Sequence, residues 1–167
     1  MSRTAIFATC LAALLLTQNP ASAADTLVVE GEEHCVVNVA SWDRLNVRDE
    51  PSSGGDIVTR HRYGDCGIVV VGEADGNWYP IEDGHDAGWV NSKFISMVSP
   101  SIYCVTGVAK GDGLNVRAFP SASSKIKTVL PRKQCDIAFL PYAVNGWQKV
   151  RVDGDEGWVK AEFVSGE

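Results

Sequence analysis

Leu45-Asn46-Val47-Arg48-Asp49-Glu50-Pro51-Ser52 decides the fold, because it returns 69 positions later as Leu114-Asn115-Val116-Arg117-Ala118-Phe119-Pro120-Ser121. Working outward, Cys35, Cys66, Trp78, Gly88, Trp89 and Phe94 recur as Cys104, Cys135, Trp147, Gly157, Trp158 and Phe163, with no insertion or deletion between them. Self-similarity at a fixed period defines the unit that folds. It also provides an internal comparison, in which matched positions read as scaffold and unmatched ones as specialisation.

Within each unit the pattern is strand-like. Leu45 to Arg48 alternates apolar and polar, and Ile68 to Val71 is a β-branched run. Turn residues punctuate these runs at 51–55, Gly64-Asp65, Asp75-Gly76-Asn77 and Asp83-Gly84, and in the second copy at Asn145-Gly146 and Asp153-Gly154. After the N-terminal apolar run, no stretch keeps a helical period for three turns, so the class is all-β. Five or six short strands in about 70 residues suit a small barrel. Pro80, where the second copy has Lys149, predicts an edge strand or a break in pairing.

The ordered set of Leu-Asn-Val-Arg, Pro-Ser, Trp78 or Trp147, Gly-Trp-Val (88–90 and 157–159) and Phe94 or Phe163 resembles the bacterial SH3 (SH3b) domain, twice in one chain. The resemblance implies two tandem small, partly open SH3-like β-barrels, of a kind found in exported proteins and attached to cell-wall enzymes as targeting modules. The chain departs from the family pattern at Glu50 and Phe119, where a Gly often precedes the Pro, and in its paired cysteines.

The N-terminus reads as a secretory signal peptide over 1–23: Arg3, the apolar run Ala5 to Thr17, then the small-residue cleavage pattern Ala21-Ser22-Ala23. The run is short of the roughly 20 residues a spanning helix needs. The first domain is then expected at 24–98 and the second at 99–167, joined by a short linker that Pro100 stiffens. No membrane span is expected after cleavage, and the protein is expected to be periplasmic or secreted. Export makes disulfides the natural reading of Cys35, Cys66, Cys104 and Cys135. Three pairings are formally possible, and the equal spacing favours one bridge per copy, Cys35 to Cys66 and Cys104 to Cys135.

Residues 24–99 carry 5 Lys and Arg against 14 Asp and Glu, a net of −9, whereas residues 100–167 carry 9 against 7, a net of +2. An acidic first copy argues against nucleic acid as a partner. In the second, Lys125, Lys127, Arg132 and Lys133 offer positive charge to an anionic partner.

No catalytic residue, metal site or cofactor is expected. Each of the four cysteines after residue 23 has a counterpart, as structural bridges would, and two domains fill the chain after residue 23, so the protein reads as no enzyme. His34, His61 and His85 lie in the first copy alone, and His85 sits in a hairpin turn where polar residues belong anyway. Trp89 and Trp158 are expected in the core. Arg48 and Arg117 are expected to hydrogen-bond the loop that follows them. Candidate ligand-binding residues are the matched Trp78 and Trp147, each opening a strand after a turn, and the unmatched Trp42, Phe119 and Tyr142, which face Gly111, Glu50 and Glu73 in the other copy. The implied role is a monomeric binding or scaffolding module of the bacterial envelope, directed at peptidoglycan or its stem peptide by resemblance. The alternative is a regulator or inhibitor of an envelope protein.

Overall fold

The structure is a computed structural model and describes residues 26–166. The expected signal peptide lies outside the described residues.

Chain alternation generates the strands. In the first copy they are β1 (Glu33–Val36), β2 (Leu45–Arg48), β3 (Ile57–His61), β4 (Ile68–Val70), β5 (Trp78–Glu82), β6 (Ala87–Asn91) and, after a 3-10 turn at Ser92–Phe94, β7 (Ile95–Met97). In the second they are β8 (Tyr103–Val105), β9 (Gly113–Arg117), β10 (Ile126–Pro131), β11 (Ala138–Val144), β12 (Trp147–Val152), β13 (Asp155–Lys160) and, after a 3-10 turn at Ala161–Phe163, β14 (Val164–Gly166). Each copy thus has seven described strands, more than the sequence suggests. In β1, His34, Cys35 and Val36 are all buried, so no period-2 signal marks the strand, and β7 is only three residues long.

All pairings are antiparallel. The first copy forms one sheet in the order β3-β2-β6-β5-β4-β1-β7. The second repeats it as β10-β9-β13-β12-β11 and β8-β14, linked by the Tyr103–Ile137 bridge, which is the repeat partner of the His34–Ile68 pair. Seven matched pairs fill the two cores: Val36/Val105, Leu45/Leu114, Val47/Val116, Ile68/Ile137, Ile81/Val150, Val90/Val159 and Ile95/Val164. Gly88 is required where β6 crosses β2, because a Cβ there would lie 2.6 Å from the Arg48 carbonyl oxygen. In the second copy, Asn145-Gly146 and Asp153-Gly154 close two-residue hairpins with all four φ angles positive, the conformation that suits strand twist.

The disulfides are Cys35–Cys66 and Cys104–Cys135, one per half. Pro80 lies in an interior strand rather than at an edge. On the β6 side it pairs with Trp89 in an unbroken register, and on the β4 side its carbonyl accepts from the Val71 N–H at 3.0 Å, just beyond the last register pair, Val70–Ile81. Trp89 and Trp158 are half-buried rather than core residues, because strand alternation gives the core positions to Val90 and Val159.

The two barrels dock through unlike faces. Cys35, Val37 and Val98 pack with Ala138, Leu140 and Tyr142 of β11, and Trp158 lies against this cluster. Glu33 takes a bidentate ion pair from Arg151 at 2.7 and 3.1 Å, and Arg151 also holds Glu156 at 2.9 Å. In the linker, the Ser99 N–H donates to the Phe139 carbonyl at 2.9 Å, and the Ser99 hydroxyl accepts from the Phe139 N–H at 2.7 Å. The repeat partners of the β11 residues Leu140 and Tyr142 are Val71 and Glu73, which are exposed.

Candidate binding clefts

Beside each β-sheet lies a cleft built by the most repetitive part of the sequence. Alternation in β2 sends Leu45 and Val47 into the core and leaves Asn46 and Arg48 on the other side. There, with Asp43 and Arg44 before them, they line a cleft of about 640 Å³ together with Trp78, Asn91, Lys93 and Phe94. β9 does the same in the second copy, where Asp112, Asn115 and Arg117 line a cleft of about 370 Å³ with Trp147, Lys160 and Phe163. All twelve residues lining the second cleft are repeat partners of residues lining the first, which adds only Lys93.

Local hydrogen bonds hold the walls. Arg117 Nη1 donates to the Ser124 carbonyl at 2.7 Å, and Arg48 Nη1 donates to the matching Gly55 carbonyl, so each arginine fastens the loop after its strand as expected. The Asp43 carboxylate accepts from the Arg44 N–H at 2.7 Å, as Asp112 does from the Gly113 N–H at 2.8 Å. Asn38 Nδ2 donates to the Lys93 carbonyl at 2.9 Å, and Asn91 Oδ1 accepts from the Lys93 N–H. The two aromatic walls differ in one respect. Trp147 pairs across the ladder with Lys160, whose Nζ lies 5.0 Å from its ring centroid, and is only 7% exposed. Trp78 pairs with Asn91 and stays half-buried.

The five candidate residues therefore separate. Trp78 and Trp147 each line a cleft. Trp42 and Phe119, 88% and 70% exposed, line neither. Trp42 sits at the tip of the Ala40–Asp43 turn, whose ends do line the first cleft, and Phe119 sits in the loop that Arg117 fastens. Tyr142 belongs to the barrel interface instead. It is 6% exposed, its hydroxyl donates to the Val36 carbonyl at 2.8 Å, and its ring meets Tyr63 edge-on at 5.3 Å. Burial pushes its phenol well above the ordinary range. Of the three unmatched aromatics, Tyr142 thus joins the interface cluster, while Trp42 and Phe119 stay exposed on loops. Sequence reasoning passed over Asp43, Arg44, Asn46, Asn91, Lys93 and Lys160, since polar residues on a short strand or its flanking loops carry no signal of their own.

The histidines serve the first barrel. His34 is fully buried, with Nε2 accepting from the Val29 N–H at 3.1 Å, and burial lowers its pKa. His61 Nε2 lies 3.0 Å from Asp83 Oδ2. The Asp83 carboxylate also accepts from the backbone N–H groups of His85 and Asp86 at 2.9 and 2.7 Å, capping the β5–β6 turn. Burial alone would raise the Asp83 pKa, but these N–H groups and His61 hold it below its ordinary value.

Two barrels with this strand order, motif set and paired clefts define the chain as a tandem domain protein, and it belongs to the bacterial SH3 domain family, whose pattern matches residues 43–96 and 112–165. Among curated proteins it is similar to YrvJ of Bacillus subtilis (strain 168), which carries a provisional assignment as an N-acetylmuramoyl-L-alanine amidase. The two are 26% identical over 132 residues, covering 72% of this chain and 25% of that protein. The chain therefore spans about a quarter of that relative's length. Among solved structures it is similar to NlpC2 and NlpC1 from Trichomonas vaginalis, each 12% identical, with TM-scores of 0.38 and 0.37. The overlaps cover 82% and 87% of this chain and 48% and 49% of those chains.

Proposed function

We propose that the protein is an exported, non-enzymatic module that binds the bacterial cell wall, peptidoglycan or its stem peptide, through the cleft of each barrel. One observation carries the reading: the second cleft is lined wholly by repeat partners of the first, so the duplicated unit carries its concave site with it. A cleft with an aromatic wall and a few convergent polar groups is the usual form of a small-ligand site. Membership of the bacterial SH3 family and similarity to a protein assigned as an N-acetylmuramoyl-L-alanine amidase support the wall as the target. The two disulfides suit an oxidising compartment outside the cytoplasm. They also support a binding rather than catalytic role, since all four cysteines among the described residues are bridged and none is free to act as a thiolate.

Co-sedimentation with purified sacculi tests this. The protein is expected in the pellet at low salt, and Trp78→Ala is expected to reduce the bound fraction severalfold without unfolding the chain. A wild-type protein that stays in the supernatant contradicts the wall as ligand.

A further inference from the structure

We infer that the first cleft is a carboxylate site, built to take an acidic peptide, and that the second is not its equivalent in charge or in access. This rests on the reading of the clefts as the wall-binding sites and names the ligand chemistry of the first.

The observation is where the first domain keeps its positive charge. Between residues 24 and 99 there are only 5 Lys and Arg against 14 Asp and Glu. Three of those five, Arg44, Arg48 and Lys93, line the cleft, while Asp43 alone of the acids does. An acidic domain has therefore gathered most of its cations along one cleft, where low-dielectric walls focus the field. Solvated surface charge without a partner would instead be expected to leave the cleft as acidic as the domain around it.

The cations are available. Arg48 engages the Gly55 carbonyl through Nη1, leaving the rest of its fork. Arg44 makes no ion pair among the described residues, where the salt bridges involve His61, Lys149 and Arg151. Lys93 Nζ lies 4.6 Å from the Phe94 ring centroid, a contact that leaves its N–H donors unspent. Guanidinium forks bind carboxylates through paired, charge-assisted hydrogen bonds, and Asp43 among them disfavours a group that concentrates two charges, such as phosphate, over a carboxylate. Trp78, with no cation across its ring among the described residues, offers an apolar face to the peptide next to that carboxylate.

The second cleft differs at these positions. Gly113 replaces Arg44 and Glu162 replaces Lys93, while Lys160 replaces Asn91 and lies on the ring of Trp147. Its volume is about 370 Å³ against about 640 Å³.

The test uses the full protein and two probes. One is a synthetic stem tripeptide with two free carboxylates, the other the same tripeptide with both carboxyls amidated, each titrated by calorimetry at 20 and 300 mM NaCl. The free-acid peptide is expected to bind at least tenfold more tightly than the amide and to weaken with salt. Arg44→Glu and Lys93→Glu are each expected to weaken it at least fivefold, and Arg62→Glu, an exposed cation of the same domain outside both clefts, to leave it unchanged. Equal affinity for the two peptides, or indifference to both charge reversals, overturns the carboxylate assignment, as does equal displacement by inorganic phosphate. Sacculi separate this from the broader reading. Wild-type binding to sacculi that survives both reversals removes only the carboxylate site, whereas tight binding of the free-acid peptide without any binding to sacculi removes the wall.

Discussion

At the scale of single residues, the two buried polar side chains with the most at stake are His34 and Tyr142. Protonating His34 would leave the Val29 N–H without its acceptor inside the barrel. Its pKa is lowered from 6.5 in the folded state by burial, so between 6.5 and the folded value the unfolded chain binds a proton that the native chain refuses. Stability is therefore whole above about pH 6.5 and is lost as pH falls toward and through the folded value. Urea titrations from pH 7.5 to 5 should show this fall in wild type and a flatter profile in His34→Gln; identical slopes would count against it. Asp83 and Glu156, both held below their ordinary values, act only at lower pH, below about 4.5. Tyr142→Phe should cost about 1 kcal/mol, because the buried Val36 carbonyl loses one of its two donors and keeps the Gly64 N–H at 3.1 Å. The same variant should bind sacculi as wild type does, which separates an interface residue from a cleft residue.

At the scale of elements, what was legible followed from alternation and turn chemistry. Leu45 to Arg48 and its repeat announce a strand, and Asn145-Gly146 announces a hairpin that forms as written. The outer strands, β1 and β8 at the front and β7 and β14 at the back, are short, and β1 is buried at three successive residues, so no alternation marks it. In Gly-Trp-Val the valine, not the aromatic, fills the core, and the glycine permits the close approach of β6 to β2. Gly88→Ala should therefore destabilise the first barrel by about 2 to 3 kcal/mol, since the new methyl meets Arg48 backbone that cannot move aside. Equilibrium denaturation checks this, and a change under 0.5 kcal/mol would contradict the crossing. The clefts were only half legible. Trp78 and Trp147 stand out, whereas Asp43, Asn46 and Arg48 are matched between copies and read as scaffold, and the unmatched Arg44, Asn91, Lys93 and Lys160 carry no signal of their own on short strands and loops.

At the scale of the molecule, matched and unmatched residues divide by their place in the structure rather than into fold and function. The matched set makes the clefts as well as the cores. Of the unmatched set, Tyr142 and Arg151 join the two barrels, while Arg44, Lys93 and Lys160 tell the clefts apart. Docking is asymmetric, so the two disulfides differ in surroundings: Cys35–Cys66 belongs to the interface cluster, and Cys104–Cys135 does not. Removing either bridge should cost its barrel about 3 kcal/mol. Calorimetry should resolve two separate transitions for Cys35→Ala/Cys66→Ala, with the barrels uncoupled, and a lowered transition confined to the second barrel for Cys104→Ala/Cys135→Ala. Matching thermograms for the two variants would contradict the asymmetry.

The chain has five tryptophans, and their indole N–H signals in one nitrogen–proton correlation spectrum test the central claim, that the repeated clefts are the wall-binding sites. On addition of solubilised wall fragments, the Trp78 resonance should move most and Trp147 next, while Trp89 and Trp158 stay in place. Shifts confined to Trp42, Trp89 or Trp158, with Trp78 unmoved, would contradict the account.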